Sequence, residues 1–346
     1  MHWPKAAALC AAVVLAMSAR PGAVDAQTPV TEPAAQQLAS KAAKVIKKRA
    51  KAAKRPPPTP AKRLFGAART PAHMKAQAIG FYAKGCLAGG AALPVDGPAW
   101  QAMRLSRNRH WAHPELIALI QKLGTEAQAN DGWPGLLVGD LSQPRGGPML
   151  TGHMSHQVGL DADIWFTPMP DRRLTEKERE DLSATSMLAA DRVSVNPKIW
   201  SEAHYKLLKR AASYGQVQRV LVHPAIKKAV CEAAKDEKNR GWLAKIRPIW
   251  GHHYHFHIRM TCPKGSGVCK SQADPGPEDG CGAELTRWLA LVKRPPKPGP
   301  PRPERNPITL AQLPPGCRTV LADGAADPQP AAKAKAPVAQ KATATK

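Results

Sequence analysis

Residues 252–260 read His-His-Tyr-His-Phe-His-Ile-Arg-Met. From His253 to Ile258 imidazoles alternate with large apolar groups, the pattern of a strand with one buried side, so residues 254–260 are expected to be a strand. Because residues two apart on a strand share a face, His255 and His257 project together. Residues 158–166, VGLDADIWF, carry the matching pattern in carboxylates, with Asp161 and Asp163 alternating with apolar neighbours. Two such strands side by side would make a metal cavity, since zinc takes neutral imidazole and carboxylate in a tetrahedral shell and a catalytic zinc keeps one position for water. Just upstream, Gly152-His153-Met154-Ser155-His156 adds two imidazoles, so six of the twelve histidines fall in two short windows. A solvated histidine tract would not need the interleaved apolar residues. His110, His113, His204 and His223 stand alone and read as ordinary hydrogen-bonded residues.

Around these strands the chain alternates short helices and strands. His113-Pro114-Glu115 opens a helix with proline in its first turn, and Leu116, Ile117, Ile120 and Leu123 recur at helical spacing. Residues 135–141 (GLLVGDL) and 217–222 read as strands. Helices are expected at 201–213, at 224–235 behind Pro224, and at 284–292, and Thr175-x-x-Glu178 is a capping-box pattern. With no regular βαβ repeat, the fold class is α+β: a small antiparallel sheet carrying the zinc site, flanked by helices.

Outside residues 76–292 the composition changes. Residues 1–26 read as a secretory signal, with Lys5 before a short apolar run from Ala6 to Met17 and small residues at Val24-Asp25-Ala26. Residues 27–75 are Ala, Lys, Arg and Pro, a disordered basic tether; residues 293–321 form a Pro-rich arm; residues 322–346 are a disordered Ala/Lys/Pro tail. The net charge of +25 suggests nucleic acid or an anionic surface as partner. Residues 27–71 contribute +10, 293–305 contribute +4 and 322–346 contribute +2, so 16 of the 25 lie outside the compact part. Export and the lack of an aromatic-interleaved basic patch exclude nucleic acid as the partner, and an anionic cell-envelope polymer remains. Beyond residue 26 no apolar run is long enough to span a membrane. Cys10 leaves with the signal. The other six cysteines, an even set in an exported chain, read as disulfides, and no pair has the short spacing of a cysteine zinc site.

Together these residues resemble a known family. His156, Asp163 and a distant His255-x-His257 match the pattern of zinc peptidases related to lysostaphin, D-alanyl-D-alanine metallopeptidases and the hedgehog fold. SHQVGLDADIW from Ser155, GCLAGGAALP from Gly85, WAHPELI from Trp111, HPAIKKAVC ending at Cys231 and DGCGAELTRW from Asp279 resemble the penicillin-insensitive murein endopeptidases over residues 76–321. The resemblance implies His156, Asp163 and His257 as zinc ligands, with His153 an additional metal-associated histidine. It implies His255 as catalytic base or stabiliser of the tetrahedral intermediate, assisted by His252; strand alternation alone would favour His253. It implies a second metal at Asp191, expected to be weak or absent because Ser194 stands where a histidine would complete the pair. It also implies the disulfides Cys86–Cys317, Cys231–Cys281 and Cys262–Cys269, out of the 15 pairings that sequence leaves open. The implied activity is zinc-dependent hydrolysis of peptidoglycan cross-links in the periplasm, at the D-alanyl–meso-diaminopimelate bond, by water that zinc makes acidic enough to attack at neutral pH. A D-alanyl-D-alanine carboxypeptidase or dipeptidase, or a non-catalytic cell-wall binding protein, are the other readings. Neither H-E-x-x-H nor S-x-x-K occurs, so no penicillin-binding serine is available.

Overall fold

The computed structural model describes residues 59–294 and 307–324. The signal, most of the tether, the proline-rich middle of the arm and the tail lie outside these residues. In chain order the elements are α1 (Ala61–Ala67), β1 (Gln77–Phe81), β2 (Lys84–Ala88), β3 (Ala91–Ala92), β4 (Asp96–Gly97), β5 (Trp100–Ala102), β6 (Trp111–Ala112), α2 (Pro114–Asn130) and β7 (Leu136–Val138). There follow β8 (Asp161–Trp165), α3 (Glu176–Asp181), α4 (Glu202–Ser213), β9 (Val217–Val222), α5 (Pro224–Ala233), β10 (Ile246–Pro248), β11 (His255–Met260), α6 (Ala283–Lys293) and α7 (Gly316–Ala322). Among the described residues no helix is long and apolar enough to cross a membrane.

The fold is α+β, but its main sheet is not purely antiparallel. Seven strands run in the order β10-β9-β11-β8-β7-β5-β4, and the β10–β9 and β5–β7 pairs are parallel. At its centre β11 lies antiparallel to β8, with His257 opposite Asp163 and His255 opposite Trp165. Every residue of both strands is buried, so the carboxylate face of β8 is an interior face rather than a solvated one. The strand expected over 135–141 is shorter, β7, because the pairing beyond it is irregular: Gly139 N–H donates to the Asp163 carbonyl at 2.8 Å and the Asp140 carbonyl accepts the Asp163 N–H at 3.1 Å, two residues against one.

Helix N-termini explain three of the isolated histidines. His113 caps α2 by accepting from the Glu115 N–H at 3.3 Å, and His223 caps α5 by accepting from the Ala225 N–H at 3.2 Å. His204 closes a capping box with Ser201 at the start of α4. The Thr175–Glu178 capping box is also formed, on a helix that stops at Asp181. One apolar core packs α2, α4 and α5 against the sheet.

A second core lies beside it and moves the beginning of the folded part. Ala61 and Phe65 of α1, Ile79, Cys86 and Ala88 of the β1–β2 hairpin, and Leu313, Cys317 and Val320 at the end of the arm pack together. Residues 59–75, expected to be tether, therefore belong to the fold. Phe65 is fully buried against Gly147, whose φ of +74° and lack of a Cβ let the ring approach; a Cβ there would lie 2.2 Å from it. Arg145 ties the unit together, donating to the Thr70 carbonyl at 3.1 Å and to Val320 and Leu321 carbonyls at the end of α7 at 3.0 and 2.8 Å. The disulfides are Cys86–Cys317, Cys231–Cys281 and Cys262–Cys269, the pairs the resemblance implies.

Candidate metal centre

Four side chains from three segments meet where β8 and β11 pair. Asp163 Oδ1 lies 3.1 Å from His257 Nδ1, 3.5 Å from His156 Nε2 and 3.6 Å from His255 Nε2. On the other side Asp163 Oδ2 lies 3.5 Å from His153 Nδ1. Asp163 Oδ1, His156 Nε2 and His255 Nδ1 are buried with no hydrogen bond. A native interior rarely leaves such atoms unpaired, and Asp163 Oδ1 beside His156 Nε2 suits a bound cation. Ligand atoms of His153, His156 and Asp163 all lie within 4.8 Å of one another, close enough to hold one ion.

Neighbouring groups fix which atoms face the centre. His156 Nδ1 donates to the Leu141 carbonyl at 2.7 Å, which turns Nε2 and its lone pair inward. His257 Nε2 donates to Asp161 Oδ1 at 2.8 Å, which leaves Nδ1 as its inward atom. Asp161 also accepts from Arg259 Nε at 2.8 Å and from the His156 backbone N–H at 2.9 Å. His156 has a φ of +65°, unusual for a residue with a Cβ, and that backbone bond to Asp161 holds it there. Asp140 Oδ2 accepts from His153 Nε2 at 3.0 Å and from Arg109 Nη1 at 2.9 Å. Asp161 and Asp140 thus orient the inward-facing imidazoles, roles that periodicity alone does not assign. The signal was a carboxylate inside an apolar strand pattern, in LDADIW and in LLVGDL.

Electrostatics follow from burial and from these partners. Burial alone would raise Asp163, but the imidazoles of His156 and His255 hold its carboxyl well below the usual carboxylate range. Burial would likewise lower His257, and Asp161 outweighs it, so its pKa is raised. His255 and His252 are pushed down to about 4, chiefly by burial, and are neutral at pH 7.

The structure brings His252, not His253, beside the other imidazoles. Strand β11 begins only at His255, and at His252 the chain turns with φ +52°. Its ring centre lies 4.7 Å from that of His255 and 5.9 Å from that of His257. His252 Nδ1 donates to the Trp250 carbonyl at 2.9 Å, leaving Nε2 to accept a proton. His253 faces away, with Nδ1 2.9 Å from Ser186 Oγ and its ring 6.3 Å from that of His223. Asp191 is remote from the cluster. Its two oxygens accept from the N–H groups of Val193 and Ser194 and from Ser194 Oγ, and close its own turn.

Comparison with known proteins gives the family of the chain. The penicillin-insensitive murein endopeptidase family model matches residues 78–322. The chain belongs to this family. Curated penicillin-insensitive murein endopeptidases include that of Klebsiella pneumoniae, 42% identical over 71% of this chain and 86% of its own length. That of Haemophilus influenzae is 43% identical over 65% of this chain and 76% of its own, and that of Salmonella heidelberg 41% over 71% and 86%. As a member of the family the chain is a peptidase, and the matched segment takes in the metal-facing cluster, all six disulfide cysteines and α7.

Proposed function

We propose that this protein is a periplasmic zinc peptidase that hydrolyses the peptide cross-links of murein, at the D-alanyl–meso-diaminopimelate bond. The observation that carries the reading is the convergence of His156 Nε2, Asp163 Oδ1 and His257 Nδ1, two of them buried without a hydrogen bond. In this reading those three atoms hold the zinc, and His153 sits beside it with access to the cleft. Two imidazoles and one carboxylate suit zinc among the common ions, since calcium and magnesium sites are built from oxygen. Bound there, the zinc would polarise the peptide carbonyl and lower the pKa of water. His252 and His255, neutral at pH 7, are placed to take the proton released on attack and return it to the leaving amine. Asp161 and the Leu141 carbonyl keep the ligand rings in register. The cleft above, of about 330 Å³, is lined by Asp140, His153, Asp163, Trp165, Tyr254 and His255 among others, and is open enough for an extended peptide.

The test is incubation of purified cross-linked muropeptide dimers with the protein, with and without a chelator, followed by mass spectrometry. Conversion of dimer to monomer, abolished by the chelator and restored by zinc, is expected; release of terminal D-alanine alone would make the protein a carboxypeptidase. His156→Ala should lose both bound zinc and turnover, and full activity in that variant would overturn the ligand assignment.

A further inference from the structure

Three arginines, Arg104, Arg107 and Arg109, approach the cleft from one short segment, and their hydrogen bonds divide them by task. Arg109 is nearly buried, donating from Nη1 to Asp140 at 2.9 Å and from Nη2 to the Thr151 carbonyl and hydroxyl at 2.9 and 3.2 Å. Arg104 donates to the carbonyls of Arg179, Glu180 and Leu182 around the end of α3, and its guanidinium lies 5.3 Å from the centre of the Trp165 ring. Both hold the wall together. Arg107 differs: its side chain is 47% exposed, it lines the cleft, and its one hydrogen bond runs from Nη1 to Asp140 at 3.1 Å. Asp140 already has a buried charge partner in Arg109, so it does not need Arg107. Among the described residues the remaining N–H groups of the Arg107 fork have no hydrogen-bond acceptor.

The backbone around Arg107 is built to present it. It ends a 3-10 turn, Leu105–Arg107, flanked by Arg104 at φ +58° and Asn108 at φ +51°. Two left-handed non-glycine residues in one short segment are costly and persist only where their surroundings enforce them. Here the enforcement is visible. Ser106 donates from its N–H and hydroxyl to the two Glu180 oxygens, each at 2.8 Å, while Asn108 accepts from Trp111 Nε1 at 2.7 Å and donates to the Arg69 carbonyl at 3.1 Å. Arg107 also sits close to the chemistry: the Asp140 oxygen it touches is shared with His153, whose other nitrogen faces Asp163. One carboxylate and one imidazole separate the guanidinium from the metal position, a span that a neighbouring substrate residue can cover.

We propose that Arg107 binds a substrate carboxylate beside the scissile bond and sets the preference of this peptidase for acidic over amidated peptides. The inference rests on the murein reading above. Murein stem peptides offer two such groups, the free carboxylate of diaminopimelate and the C-terminal carboxylate, and a planar fork of donors suits either. Three dimers separate them: unmodified, amidated at diaminopimelate, and amidated at the C-terminus. For the wild type, kcat/KM should be about tenfold or more higher for the unmodified dimer than for one of the amidated dimers, the loss expected when a charge-assisted bond becomes a neutral one. In Arg107→Gln that ratio should fall to about two or less, mainly through KM on the unmodified dimer, and Arg107→Lys should restore part of it. The arm in which the ratio collapses identifies the carboxylate. Ratios near one in the wild type, ratios unchanged by Arg107→Gln, or equal losses on all three dimers would each overturn the proposal. A wild type that cleaves none of the dimers would overturn the murein reading, and this inference with it.

Discussion

Asp161 shows how much of the site depends on a residue that faces away from the metal position. Its carboxylate is fully buried and joins the His257 ring, the Arg259 guanidinium and the strained backbone of His156. Asp161→Asn keeps the shape but loses the charge that orients the His257 ring and supports its basicity. Zinc affinity should fall by about 10–100-fold, as is usual when an outer partner of a ligand is changed, with the fold retained. Competition against a chromophoric chelator reads that affinity directly, and an unchanged value would show that Asp161 acts only in packing. At this scale the sequence was legible where side-chain type sufficed. His156, His255 and His257 all lie within 3.6 Å of Asp163 Oδ1. The choice between His252 and His253 was not open to strand periodicity, because the strand starts after both and a left-handed turn at His252 decides which ring enters. Asp140 was hidden for a similar reason: it sits at the end of an apolar strand, and its function appears only when His153 and two arginines reach it through the fold.

Among the elements, α1 and α5 depart most from what their composition suggests. AKRLFGA has only two large apolar residues, Leu64 and Phe65, and reads as part of a basic tether, because periodicity over seven residues cannot reveal a partner some 250 residues away. That partner is the arm, whose Cys317 is tied to Cys86 and whose Ile308 carbonyl accepts the Ala61 N–H at 2.8 Å. Phe65→Ala should lower unfolding free energy by about 3–5 kcal/mol, the usual cost of emptying a buried phenylalanine site. Urea denaturation would measure it, and a change under about 1 kcal/mol would mean α1 contributes little to the fold. In α5 the anomaly is charge. Lys227 is completely buried, with Nζ donating to the Leu243 and Asp279 carbonyls at 2.8 and 2.5 Å, and burial brings its pKa down to about 7. Between pH 7 and the unfolded value of 10.5 the unfolded chain holds a proton that the fold has released, so this lysine makes stability rise with pH across that window. Below pH 7 both states are protonated and its contribution is constant. Lys227→Met should therefore remove a stability gain between pH 7 and 10 and leave the difference between variant and wild type flat from pH 5 to 6. Thermal unfolding across that range checks the sign; a parallel pH profile would overturn it.

For the whole molecule, the boundary of the fold changes where the +25 charge resides. Lys62, Arg63 and Arg69, counted with the tether on composition, lie in or just after α1, which packs into the second core. Residues 27–58 retain eight basic residues against Glu32, a net +7. Among the described residues the histidine–aspartate cluster and both cores are complete within residues 61–320, so deletion of 27–58 should leave the unfolding midpoint and dimer cleavage in solution unchanged. Its effect should appear on the insoluble substrate. Murein sacculi with their attached polymers are polyanionic, and a net charge of +7 raises the local concentration of enzyme by a contribution that salt screens. Sacculus binding by the shortened protein should therefore be weaker than that of the intact protein at 20 mM salt, and the two should converge near 0.5 M, where the screening length is down to about 4 Å. Co-sedimentation with sacculi over a salt series makes the measurement. Equal binding at low salt would place the attraction in the folded part instead, and the basic wall of the cleft around Arg104, Arg107 and Arg109 would be the surface to neutralise next.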